Sequence, residues 1–537
     1  MRAYPGLVRS LRAYFERPEN LEQAKAMIRE RMERREELFL SMARERFCAP
    51  DSPYRPLLDI AECGYRDLKV MARQRGLEAT LGALRRAGVY LSFEEFKFGG
   101  DVSRDGRVLR FSPGQFDLRQ GTSLMNVRSG ATRSRGTWSP RSVEHFATRA
   151  PQYAIMLDMF ADRGAPILIW MSGLPAGGGI FTWFVLAKLR RPPARWFTQT
   201  PTPGIIRGRH QLIVHTIRAA AKRAGLRLPA PEFVPVGQVE KVLGAVFEKL
   251  GTSGQCVVVT PPSCAVRLSA EARRRGETLR GVQFLTNGEP LTPGKAEEIR
   301  RAGARVASRY SMNEVGPVGL PCGAPVEADD MHFLSMALAM IPSPRQFGDV
   351  TADALMLTSL VPSAPKLLLN VEVDDFAKIE QRRCGCLWDE LGCRTHLADV
   401  RSFTKLTGEG TTLLGSNCVH ILERVLPEAF GGSSVDYQLV EAEDEARLTR
   451  LYLLISPRVG PVQEAAVLRR FGEALEATAS RPMGGKRTIW EQAQTIRVLR
   501  RDPIATGMGK LLPFHTLGVA SARLRRPLGE PASTVPS

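Results

Sequence analysis

The sequence predicts an α/β protein: a large N-terminal domain on a substantially parallel sheet, a helical extension ahead of it, and a small α+β C-terminal domain behind it. Three observations predict this. The first ninety or so residues are dense in helix formers and carry no strand-like runs. From about residue 107, short β-branched runs alternate with helical ones, the βαβα rhythm of a parallel sheet. A polar, cysteine-containing segment at 380–400 interrupts that rhythm, and a shorter unit of paired strands and helices follows. The boundaries fall at 1–95 for the extension, 96–400 for the large domain, 401–520 for the small domain and 521–537 for a tail of disordered composition.

In the extension, Asn20 can cap a run from Leu21 to Arg46 that is rich in Glu, Arg, Met and Leu. Two shorter helices follow around 66–87, the second stopped by Gly88. The uncharged stretch from Gly164 to Ala187 is long enough to span a bilayer. Pro166, Pro175 and the glycines at 177–179 break it, so a buried strand, a glycine turn and a core helix explain it more simply. CVVVT (256–260), a helix near 268–275, VQFLT (282–286), the Pro-opened helix 293–303 and ARVASRY (304–310) complete the alternation. Beyond 400, a helix at about 417–426 leads to two strands around an acidic turn, a helix at about 462–478 and a strand near 493–500.

Composition bounds the function. The chain has 537 residues, 43% hydrophobic and 24% charged, which excludes a largely disordered or collagenous protein. The formal charge of +19 invites an anionic partner. The basic residues are mostly Arg interleaved with acids, as in RERMERREEL, and no nucleic-acid reader motif stands out. A solvated, Arg-rich surface is the simpler reading, with a basic non-enzymatic nucleic-acid-associated protein as the alternative from another class. Nine cysteines and an N-terminus without an apolar signal segment point to free thiols in the cytoplasm.

Five segments carry candidate chemistry. RSGATRSRGTW (Arg128–Trp138) offers small residues, hydroxyls and Arg side chains to phosphate oxygens. TNGEPLTP (286–293) lies between a strand and a helix, at the strand end where ligands sit in parallel sheets. RYSMNEVG (309–316) projects Tyr310, Asn313 and Glu314 from a turn, and a carboxylate there can share Mg²⁺ with a nucleotide phosphate. NVEVDDFAKIE (370–380) carries Asp374 and Asp375 on an alternating strand. ATGMGKLLPF (505–514) flanks Lys510 with glycine. Each is ambiguous alone.

Taken in order, the set resembles the adenylate-forming superfamily, and within it the phenylacetate–CoA ligase-like branch, over roughly residues 120–515. Departures include Arg133 in the phosphate loop, Asn287 at the first glycine of a GGEP-like turn, Ser311 and Asn313 in the YGxTE-like turn and Asp374 in the GD pair. The resemblance implies an adenylate-forming domain followed by a small mobile domain hinged near Asp399–Ser402. It implies ATP-dependent activation of a small-molecule carboxylate, with transfer to a thiol, most simply that of coenzyme A. A protein or amine acceptor is the alternative. Carried over by position, Ser129, Gly130, Thr132, Ser134 and Arg135 would line the pyrophosphate loop, and Gly288, Glu289 and Pro290 would lie along the adenine. Tyr310 and Asn313 would flank the nucleotide, Glu314 would meet Mg²⁺ and Asp375 would bind ribose. Lys510 would bridge the carboxylate and the α-phosphate.

Cys384, Cys386, Cys393 and His396 form C-x-C-x6-C-x2-H and are candidate zinc ligands. The C-x-C opening is shorter than the C-x2–4-C pairs usual for zinc, so buried thiols are the simpler reading. Neither the oligomeric state nor the identity of the acid has a signature in the sequence.

Overall fold

A computed structural model describes residues 4–118, 123–128, 138–162, 164–173, 178–199, 204–347, 350–362, 364–403, 405–408, 411–478, 486–504 and 513–515. Its centre is a six-stranded, wholly parallel sheet. Across it lie Arg305–Ser308, Val282–Thr286, Cys256–Thr260, Ile167–Trp170, Arg195–Thr198 and Pro231–Phe233. The Cys256–Thr260, Val282–Thr286 and Ile167–Trp170 strands are buried along their whole length, as their continuous apolar runs require of a sheet covered on both faces. The 164–187 stretch supplies the Ile167–Trp170 strand and the buried helix Gly178–Lys188. Among the described residues no helix is long and apolar enough to cross a membrane.

A second sheet was not foreseen as such. Seven antiparallel strands run across it in the order Tyr310–Met312, Gly316–Pro321, Met331–Phe333, Thr395–Ser402, Val371–Gln381, Val350–Ser359 and Leu338–Phe347. The strand Thr395–Ser402 crosses the boundary drawn at residue 400. Within it Asp399 takes φ +51°, and its pairing with Val371–Gln381 shifts register between Phe376 and Lys378. This is a bulge, with a residue type that tolerates the left-handed region.

The helical extension forms as expected but is not one long helix after Asn20. Asn20 accepts from the Gln23 N–H at 2.8 Å, the helix runs Leu21–Glu33, and a new helix begins at Arg35. Leu11, Phe15, Ile28, Phe39, Phe47 and Tyr54 are buried in the same apolar cluster as the Gly178–Lys188 helix and the antiparallel sheet. The extension is therefore part of the large domain's core. It ends in the short helix Phe93–Phe98, closed by a reciprocal capping box between Ser92 and Glu95. Arg104 grips the Glu95 carboxylate with both forks, at 3.0 and 2.8 Å.

The C-terminal unit is a four-stranded sheet, Ile496–Arg500, Thr449–Ile455, Tyr437–Glu443 and Phe514–His515, with helices Glu464–Thr478 and Lys486–Ala493. Its apolar side joins a cluster that also holds Val242, Leu268 and Ile299 of the large domain. None of the nine cysteines is in a disulfide. Much of the basic charge is neutralised locally, as in Arg274 and Arg275 on Glu271.

Candidate active site

The candidate site is a cavity of about 240 Å³ between the carboxyl ends of two parallel strands and one end of the antiparallel sheet. Gly288, Glu289 and Pro290 follow Val282–Thr286, and Tyr310, Asn313 and Glu314 follow Arg305–Ser308. Asp375 enters from Val371–Gln381. Three of the five sequence segments thus meet at one cavity.

Alternation along the strand separates the paired aspartates. Asp375 lines the cavity, where it accepts a 2.6 Å hydrogen bond from the Tyr310 hydroxyl. Asp374 is fully buried on the other face, 3.5 Å from Arg345 and accepting from the Ser402 hydroxyl at 3.0 Å. Burial, reinforced by Asp375, raises the Tyr310 hydroxyl well above its ordinary pKa, so it is a neutral donor. Gly288 sits at φ +95°, a conformation that costs a side-chain-bearing residue and lets the backbone form the cavity wall.

Glu289 lines the cavity, and its side chain is engaged beyond it. Its carboxylate accepts the Ser263 backbone N–H at the start of the helix Pro262–Arg274, and the buried Lys295 ammonium lies 3.7 Å away. It ties the 286–290 turn to its neighbour helix.

Glu314 is buried, and its carboxylate is closed by an ion pair with Lys97 of the extension. Behind it, Arg141 donates to the Asn313 carbonyl at 2.7 Å and Arg149 to the Val315 carbonyl at 2.7 Å. Burial pulls Arg141 down to about 10, with Glu314 opposing, and Arg149 down to about 9. The two guanidiniums fix the turn that aims Glu314. A divalent ion bound by protein carboxylate needs oxygen without a competing cation. With Lys97 on Glu314, the residues present do not fit a protein-held Mg²⁺ there.

Sequence reasoning missed Lys97, Phe93 and Phe96, which wall the cavity beside the extension, and it gave Arg309, Val400, Arg401 and Ser402 no place in the nucleotide site. Arg309 is 3% exposed, and its Nε and Nη2 have no protein partner among the described residues. The hinge candidate at Asp399–Ser402 borders the cavity, with Arg401 on Asp399 at 2.6 Å. Ser129, Gly130, Thr132, Ser134, Arg135 and Lys510 lie outside the described residues. The strands Ser123–Arg128 and Trp138–Ser142 pair on either side of the first segment. Ile504 and the Phe514–His515 strand bracket the segment with Lys510: Gln438 bonds Ile504 at 3.0 and 2.7 Å, and Phe514–His515 joins the small sheet.

No protein-family model matches the chain, and no curated protein does. Solved structures do. One of 2-hydroxyisobutyryl-CoA ligase, with 2-HIB-AMP and CoA in the thioesterification state, has a TM-score of 0.54 at 14% identity, over 94% of this chain and 92% of that one. The chain shares the fold of that structure. The same ligase in its postadenylation state gives 0.45 at 13% identity, covering 93% and 91%. An amide bond synthetase from Marinactinospora thermotolerans gives 0.38 at 13%, covering 81% and 76%. In this fold the cavity lies where two strands of the parallel sheet meet the antiparallel sheet.

The cysteine-rich segment forms a second cluster, in a different combination from the one read in the sequence. Cys384 and Cys386 come together with Cys322 and His332. Cys393 is buried and contributes its backbone carbonyl, which lies 2.8 Å from His332 Nδ1. His396 pairs with Asp330 at 2.8 Å.

Proposed function

We propose that the chain is an ATP-dependent, AMP-forming acid–thiol ligase. It activates a small-molecule carboxylate as an acyl- or aryl-adenylate and passes the acyl group to a thiol, that of coenzyme A. The observation that carries this reading is the convergence of the 286–293, 309–316 and 370–380 segments on one cavity at the carboxyl ends of parallel strands, where open α/β sheets bind their ligands.

In this reading the Gly288–Pro290 backbone flanks the adenine, and Asp375, oriented by the Tyr310 hydroxyl, accepts from ribose hydroxyls. Adenylation brings two anions together, a carboxylate and the α-phosphate, so its transition state needs fixed positive charge. Lys510 supplies it, and Arg309 adds charge in the wall. The loop with Ser129, Gly130, Thr132, Ser134 and Arg135 holds the leaving pyrophosphate. Any Mg²⁺ in the reaction would be held by the ATP phosphates and would offset their charge. The C-terminal unit turns about the bulge at Asp399, withdrawing Lys510 and admitting the thiol. We place the reaction in the cytoplasm, where the thiols stay reduced.

The test is pyrophosphate release from ATP across a panel of aryl and fatty acids, with hydroxylamine trapping the acyl group. Release that depends on one acid class supports the reading. ATP binding without release for any acid overturns it. Replacing hydroxylamine by coenzyme A, a carrier protein or an amine then separates the acceptors.

A further inference from the structure

Met331 and His332 are neighbours on one short strand of the antiparallel sheet. Met331 lines the cavity, while His332, fully buried, faces three cysteines on the other side. Cys322 follows the strand Gly316–Pro321, and Cys384 and Cys386 sit in the turn after Val371–Gln381. The three sulfurs and His332 Nε2 all lie within 4.8 Å of one another. Nε2 is 3.4 Å from the Cys384 sulfur and 3.2 Å from that of Cys386. Ligands at about 2.3 Å (S) and 2.0–2.1 Å (N) around a tetrahedral zinc stand roughly 3.5–3.8 Å apart, so the two His332–sulfur contacts need only a slight expansion and the other pairs are already within about an ångström of that spacing.

The surroundings prepare these groups as ligands. A carbonyl can only accept, so the 2.8 Å contact with the Cys393 oxygen puts the proton of His332 on Nδ1 and leaves the Nε2 lone pair aimed at the sulfurs. Gly385, at φ +71°, turns the chain between Cys384 and Cys386. The Asp389 carboxylate holds that turn through the N–H groups of Cys384 and Gly385, each at 3.0 Å. The Ala324 N–H donates to the Cys322 sulfur at 3.3 Å. The neighbouring group of Cys322, Asp330 and His396 is the weaker candidate, because Asp330 is already engaged by both His396 and Arg382.

We propose that Cys322, His332, Cys384 and Cys386 form a closed, structural zinc site. Three thiols and one imidazole select zinc over hard cations, and four protein ligands leave no open position for catalysis. The ion would join the strands Gly316–Pro321, Met331–Phe333 and Val371–Gln381 at one point. Two of them carry cavity residues, Met331 and Asp375, so zinc would stiffen the cavity wall without touching substrate.

The experiment is metal analysis of the full chain purified without chelator, paired with Co²⁺ exchange. The expected result is one zinc per chain and, with Co²⁺, the intense visible bands of a tetrahedral site with sulfur charge transfer. Cys384→Ser and His332→Ala should each lose the stoichiometric metal, whereas Cys393→Ser and His396→Ala keep it. Parent protein without zinc and without Co²⁺ bands overturns the site even if every variant misfolds. Metal retained in Cys384→Ser, or lost in Cys393→Ser, overturns this ligand set. None of these readouts depends on the ligase reaction.

Discussion

Lys97 reaches from the last helix of the extension to form a buried ion pair with Glu314, 217 residues further along the chain. Removing the ammonium strips a buried carboxylate of its counter-charge, which costs about 3–5 kcal/mol. Lys97→Met should therefore lose stability in urea unfolding, and the double variant Lys97→Met/Glu314→Gln should recover most of it. Parental stability in Lys97→Met would mean that the pair does not hold the extension to the site.

The hydrogen bond from Tyr310 to Asp375, at 2.6 Å, gives a second prediction. A hydrogen bond to a charged group is worth about 1.5–3 kcal/mol, so Tyr310→Phe should raise the KM for ATP by roughly tenfold or more with little change in kcat. A pH dependence accompanies it. Burial raises the folded pKa of Tyr310, Tyr54 and Tyr153, so the folded state keeps protons that the unfolded chain releases near pH ~10. Stability is then unaffected below that pH and falls as pH rises beyond it. Unfolding curves between pH 8 and 11 (about two units below to one above the ordinary tyrosine pKa) should bend down at the top, less steeply in Tyr310→Phe.

Much of this was legible in the sequence, for reasons that differ by element. The parallel strands could be read because burial on both faces leaves runs such as CVVVT. The Asn20 cap and the stop at Gly88 are local chemistry, with Gly88 at φ +83°. The antiparallel sheet was obscured because strands such as Gly316–Pro321 carry glycine and proline and are buried throughout, which removes the alternation that marks a half-exposed strand. Lys97 was hidden for another reason: a lysine in FEEFKF looks like any solvated helix residue until the fold brings Glu314 to it. The cysteine cluster shows the same limit, since Cys322 and His332 are drawn from strands far from the C-x-C turn.

Lys510 offers a test that separates the half-reactions. Its segment is tied at Ile504 and at Phe514–His515, so replacing the side chain should leave the small sheet intact. Losing one preorganised transition-state contact costs about 3–4 kcal/mol. Lys510→Ala should lower pyrophosphate release by roughly 10²–10³-fold, while thioester formation from a supplied acyl-adenylate continues near the parental rate. Equal loss in both steps would remove Lys510 from its adenylation role.

The contact between the large domain and the C-terminal unit gives the last prediction. Lys295, fully buried, donates to the Thr449 hydroxyl at 2.7 Å, and the Thr292 hydroxyl donates to Glu443. Both lysine and threonine of the large domain belong to the segment that begins at the cavity with Gly288–Pro290. Docking of the small unit is therefore bonded directly to one wall of the site. If that unit must undock and turn, these bonds are broken in each cycle. Thr449→Val leaves a buried ammonium short of one partner only in the docked arrangement, at a cost of about 1–3 kcal/mol. The docked population should fall by roughly tenfold, seen as faster proteolysis between residues 403 and 415. The ratio of adenylation to thioester formation should shift as well, with the KM for ATP unchanged. An unchanged ratio together with faster proteolysis would show that undocking is not part of the catalytic cycle.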